Sequence, residues 1–187
     1  KIVFGEASDE ALEFANTLST SFKRSESDII ALMASLQDTF VPLGFSRKEA
    51  AKLSKVLTQL SYDVGAFKDA SSTEVSHAFT SAIVGNHEAL FKYGIIITEA
   101  QLKQAALKLG FGSTSSELTA QQKVLARTSI IIQGTTDAHG NLLLTQHEFA
   151  SQVRLLQDEF KDLSIELGKL LMPMARFSLN MANVAHL

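Results

Sequence analysis

At Ser46, Ser71, Thr119 and Thr145 a hydroxyl side chain stands three positions ahead of a glutamate or glutamine, each time heading a stretch with apolar residues at helical spacing. In that arrangement the hydroxyl accepts from an orphan backbone N–H of the first turn, and the acid or amide reaches back to the N–H of the capping residue. Each pair therefore writes a helix start into the chain. Stops are written by glycine, which adopts the left-handed conformation at a helix C-terminus without steric penalty: Gly44 just after Pro42, then Gly85, Gly94 and Gly110. Proline occurs only at Pro42 and Pro173, and the chain is rich in Ala, Leu, Ser and Lys. The expectation is an all-α fold, a multi-helix domain of amphipathic helices ending in a long heptad-patterned C-terminal helix.

Periodicity fills in the elements. Leu12, Ala15, Leu18 and Phe22 recur at helical spacing, as do Ile29, Met33, Leu36, Phe40 and Leu43, which predicts two helices parted near Lys23 to Ser27. The helix opened by Ser46 carries Leu53, Val56, Leu57, Leu60, Val64 and Phe67 on one face. Ser71 opens another through Val75, Phe79, Ala82 and Ile83, stopped by Gly85. A short exposed turn from His87 to Tyr93 follows, stopped by Gly94, and Ile95, Ile96 and Ile97 are expected as a buried connector because three β-branched residues are too few for a sheet. Thr98 caps a helix from Glu99 to Leu109, and Gly112 to Glu117 reads as a loop. The helix from Thr119 holds Val124, Leu125, Ile130 and Ile131; Gly134 weakens its last turns, and Asp137 to Asn141 is expected as a turn with Gly140 at positive φ.

The last segment has the clearest pattern. Phe149, Val153, Leu156, Phe160, Leu163, Leu167, Leu170, Met174, Phe177, Met181 and Val184 alternate by four and three, a heptad seam suited to lengthwise packing on a partner helix, within the chain or between chains. Leu155, Ile165, Met172 and Leu179 are apolar off that seam, and Pro173 predicts a kink. The expected organisation is a helical domain over residues 1–148 and a long helix or arm over 149–187, packing on the domain or on a neighbouring copy.

Composition narrows function mainly by exclusion. A net charge of −3, from 17 Lys and Arg against 20 Asp and Glu scattered without blocks, leaves no basic footprint, so sequence-specific nucleic-acid recognition is not expected. Cysteine is absent, which removes disulfides, thiolate metal ligands and thiol nucleophiles. No window approaches the roughly 20 apolar residues of a membrane span, since Lys169, Arg176, Asn180 and Asn183 interrupt even the apolar C-terminus. The start at Lys1 suggests a piece of a longer protein.

The motifs of catalysis are missing as well. His87–Glu88 and His147–Glu148 lack the second histidine four positions on that would bring two imidazoles to one helix face. Glu74 and His77 share a face, but a metal site needs two such pairs converging. Solvated histidines on polar faces are therefore expected. Gly110 to Ser113 follows a helix rather than a strand, so no phosphate cradle is implied, and Asp137 to Asn141 lacks the alternating carboxylates of a calcium loop. No cofactor, metal or catalytic residue is expected.

Four stretches in order carry a family resemblance: FSRKEAAKLSKVLTQLSYDVGAF at 45–67, EVSHAFTSAIVGNHEALFKYGIIITEAQLKQAALKLG at 74–110, LTAQQKVLARTSIIIQGTTDAHGN at 118–141 and ASQVRLLQDEFKDLSIELGKLLMP at 150–173. Together they resemble the tail tape measure proteins of long-tailed bacteriophages and prophages, over residues 10–173. Departures are confined to the corner and one turn. The family's GExEPL is here Gly85 to Leu90 with Asn86 and Ala89, its Arg pair is Phe91 and Lys92, and an aspartate is replaced by Asn141. The resemblance implies a fragment of a long helical virion protein in the lumen of the tail tube, which sets tail length and is released at genome ejection. It also implies self-association, tail tube and tail-tip proteins and assembly chaperones as partners, and membrane contact only through other parts of the parent chain. The alternative is a helical binding module that docks a tail-tip or other helical partner; an enzyme is not expected.

Overall fold

The computed structural model describes residues 4–111, 118–143, 158 and 160–167, the side chains of 6 and 136–143 excepted. Among these residues the chain is mostly helical and no strand is present. A 3-10 turn, Gly5–Ala7, leads into α1 (Ser8–Phe22), followed by α2 (Glu26–Phe40), α3 (Arg47–Lys68), α4 (Ser72–Val84), a 3-10 turn Glu88–Tyr93, α5 (Glu99–Lys108) and α6 (Ala120–Leu143). Residues 160–167 are helical too.

The starts follow the capping chemistry. Ser46 accepts from the Glu49 N–H at 3.3 Å while the Glu49 carboxylate accepts from the Ser46 N–H at 2.7 Å. Thr119 and Gln122 make the same exchange, at 3.2 and 2.9 Å, and Ser71 accepts from Glu74 at 3.1 Å. A further box, unread in the sequence beyond its threonine, joins Thr98 and Gln101. The Thr145 start lies outside the described residues, as does the loop from Gly112 to Glu117. Pro42 and Gly44 act as expected: α2 stops at Phe40 and a 3-10 turn, Val41–Leu43, ends on Gly44 at φ 95°.

The longest interhelical contacts run along α3, which packs against α1, α2 and α4, whereas α6 packs against α5 and α4. Enclosed on most sides, α3 buries Ser54, Thr58, Ser61 and Asp63 along with its apolar face. Ser54 and Ser61 tolerate this because each hydroxyl donates to the carbonyl four residues back, Ala50 and Leu57, at 2.7 Å. Thr128 and Thr135 do the same in α6. The main core runs from Leu36 and Phe40 through α3, α4, α5 and α6 to Phe160, Leu163 and Leu167. A smaller cluster joins Phe4, α1 and α2 to Ala51 and Tyr62 of α3.

Several expectations change. On α1 the expected Ala15 and Leu18 are buried and Phe22 packs against the smaller cluster, but Leu12 is half exposed, and Ala11 and Phe14 complete the buried face in its place. The expected turn at Asp137 to Asn141 is part of α6, which runs unbroken through Gly134 and Gly140 to Leu143. Helix propagation adds one hydrogen bond per residue already fixed, and that gain overrides the weak turn preference of the sequence. Nor is Gly134 there to end the helix. A Cβ on it would stand 2.9 Å from Cγ2 of Ile95, so glycine is what lets the connector lie against α6. Gly134→Val should lower stability by about 1 to 3 kcal/mol, because Ile95 is β-branched and cannot swing its methyl aside. A denaturant midpoint unchanged from wild type would refute this close approach.

Of the seam, Phe160, Leu163 and Leu167 are each 4% exposed and sit in the main core, while off-seam Ile165 is 46% exposed. Lys52 of α3 reaches Glu166 at 3.3 Å on the rim of this packing. Phe149, Val153, Leu156, Leu170, Met174, Phe177, Met181 and Val184 lie outside the described residues, as do Pro173 and the arm.

Candidate functional site

The corner between α4 and α5 holds a half-buried histidine and, from α6, a half-buried arginine, each with a shielded nitrogen that lacks a partner. α4 ends as the Gly85 N–H donates to Ala82 O at 3.1 Å and the Asn86 N–H to Ser81 O at 2.9 Å, with Gly85 at φ 120°. This pairing satisfies the last carbonyls of the helix. The 3-10 turn Glu88–Tyr93 closes in the same way: Gly94, at φ 77°, donates to Phe91 O at 2.9 Å and Ile95 to Leu90 O at 3.3 Å. Leu90 and Tyr93 are buried and anchor the turn. Phe91 is exposed, and Lys92 pairs with Glu74 of α4.

The expected buried connector is half right. Ile95 and Ile97 enter the core but Ile96 is 55% exposed, because an extended segment points successive side chains to opposite sides. Ile96 borders a shallow groove of about 270 Å³ between α5 and α6, which Gln101, Gln104 and Gln133 also line.

Arg127 of α6 ties this corner together. Its Nη1 donates to Ile83 O at 2.9 Å, near the end of α4, and a Cβ on Gly85 would come within 3.4 Å of Nη2. His87 is half buried rather than solvated on a polar face. Burial and the Arg127 guanidinium push its pKa below the ordinary imidazole value, against the opposing pull of Glu99. Burial likewise lowers the Arg127 pKa, with Glu99 opposing. Nε2 of His87 and Nε of Arg127 are both shielded from solvent without a hydrogen-bond partner.

Among the described residues the other histidine side chain lies outside this corner. His77 is exposed, and Glu74, its expected face-mate, is engaged with Lys92. His147 and His186 lie outside the described residues, as does the His139 side chain. Among the described residues no three histidines, aspartates or glutamates converge as a metal site would need. No described helix is long and apolar enough to cross a membrane.

A second concavity, of about 300 Å³, opens between α1, α3 and residues 160–167. It is lined by apolar Ala11, Ala51, Val56 and Leu163 and by three lysines and three carboxylates. Its lysines and carboxylates balance, so its field selects no sign of ligand.

Sequence reading missed Arg127 and Asp63. Arg127 does leave a trace, a cation inside the apolar run VLARTSIII, where a long side chain must find a carbonyl or a charge. Asp63 leaves a fainter one, since it lies beside the apolar face of α3 and only the neighbouring helices bury it. Compared with models of known protein families, with curated proteins and with solved structures, the chain matches none of them.

Proposed function

We propose that the chain is a structural segment of a phage tail tape measure protein, acting in tail assembly and tail-length determination. The observation that carries this reading is the ordered set of four blocks, supported by how they fall on structural units. The first covers α3, the second α4 with the corner and α5, and the third α6, while the fourth includes the helical residues 160–167. The first and third blocks each begin one residue ahead of a capping hydroxyl, Ser46 and Thr119, as a shared helical frame would produce. An all-helical section with a mildly acidic surface also suits the lumen of a tube, and its partners there would be copies of itself, the tube and tail-tip proteins and assembly chaperones.

A parent-gene deletion tests the idea directly. Removing a run of helical residues elsewhere in the parent chain should shorten virion tails in electron micrographs by about 1.5 Å per residue. Tails of unchanged length on infectious particles would rule the ruler function out. The alternative, a helical module that docks a tail-tip or other helical partner, differs in stoichiometry. Light scattering on this chain would show concentration-dependent oligomers under the first reading and a monomer under the second.

A further inference from the structure

We propose that the corner from Gly85 to Thr98 is an acid-sensitive latch, in which a proton taken up by His87 loosens the hold of Arg127 on the end of α4 and lets the connector at Ile95 come away from α6. This inference is independent of the tape measure reading and concerns the fold itself.

Among the described residues, the Arg127–Ile83 hydrogen bond is the polar link from α6 to the end of α4. Leu90, Tyr93 and Ile95 supply the apolar anchors, with Ile95 seated on Gly134. His87 heads the 3-10 turn, and its carbonyl accepts the Leu90 N–H at 3.0 Å, so the imidazole belongs to the piece that would move.

Nε2 of His87 is shielded from solvent with no hydrogen-bond partner, so a proton there finds no acceptor, and burial disfavours the charged ring; Arg127 from α6 adds to this and Glu99 from α5 opposes it. On the turn itself Glu88 follows it in sequence and is exposed, and Lys92 is engaged with Glu74 of α4. A proton on His87 places a second positive charge in the field of Arg127, where partial burial weakens solvent screening. Glu99 offsets only part of this. When the corner opens, the imidazole reaches water and regains its ordinary proton affinity. Linkage then fixes the direction: the closed form holds the proton less tightly than the open one, so acid favours opening as pH falls below the ordinary imidazole range.

Amide hydrogen exchange on the whole chain reads this out. The Ile95 N–H, bonded to Leu90 O, reports closure of the turn, and α3 amides such as Leu57 report global unfolding. After correction for the chemical exchange rate, the opening constant at Ile95 should rise severalfold between about pH 7.5 and 5.5 relative to α3. His87→Gln should remove that rise, and Glu74→Gln should leave it in place, separating the latch from loss of the Lys92 pair. Should His87→Gln fail to fold, the wild-type imidazole resonances serve instead. Their midpoint should lie below 6.5 and match shifts of the Gly85 and Ile95 amides. A flat Ile95-to-α3 ratio, an equal rise in His87→Gln, or a midpoint at or above 6.5 would each overturn the latch.

Discussion

Asp63→Asn should stabilise the protein by about 2 to 4 kcal/mol at pH 8 and by almost nothing near pH 4. Asp63 is 4% exposed, and one of its carboxylate oxygens, Oδ2, is shielded from solvent without a hydrogen-bond partner. Burial raises its pKa from 3.8 to about 7, and no cation among the described residues offsets the cost. Because the folded value lies above the unfolded one, the native state binds the proton more tightly. Stability is then fullest below about pH 3.8 and is lost as pH rises toward 7, after which the penalty levels off. At about 1.4 kcal/mol per unit, the full shift corresponds to roughly 4 kcal/mol, the upper end of the expected gain. Asparagine keeps the shape and carries no charge to desolvate. Chemical denaturation of both proteins from pH 4 to 8 should give curves that diverge steadily up to about pH 7; parallel curves would show that the carboxylate has a partner.

The second large effect belongs to Leu163, one of the three described residues of the expected seam. Leu163→Ala should cost about 2 to 5 kcal/mol, because the side chain is buried in the main core and its removal leaves a cavity beside Val56 of α3. Ile165→Ala, on the same helical stretch but 46% exposed, should change stability by less than about 1 kcal/mol. The contrast is the test. If the two variants melted alike, residues 160–167 would not present the seam to the core of their own domain.

Asp63 and His87 also pull in opposite directions with pH. The Asp63 carboxylate costs more stability as pH rises toward 7, and the His87 imidazole does so as pH falls below its ordinary range. Their effects differ in reach, since Asp63 lies in α3, which packs against α1, α2 and α4, whereas His87 heads the turn of the corner proposed to open locally. Acid is therefore expected to loosen the corner while relieving a cost in the core.

The helix starts were legible in the sequence at Ser46, Ser71, Thr98 and Thr119, and so were the stops at Gly44, Gly85, Gly94 and Gly110. A cap is a bargain between a side chain and the backbone three residues away, and a glycine stop depends on its own φ, so both are decided within one turn of chain. Burial is decided elsewhere. Only the placement of α2 and α3 turns Phe14 inward and leaves Leu12 half in water, and only the approach of Ile95 gives Gly134 its reason. At these positions the start or stop of the helix was thus set by the sequence acting locally. Which face is core, why Asp63 is sealed off, and how Arg127 comes to hold the end of α4 depend on helices distant in sequence, because packing sums contacts that no local pattern contains.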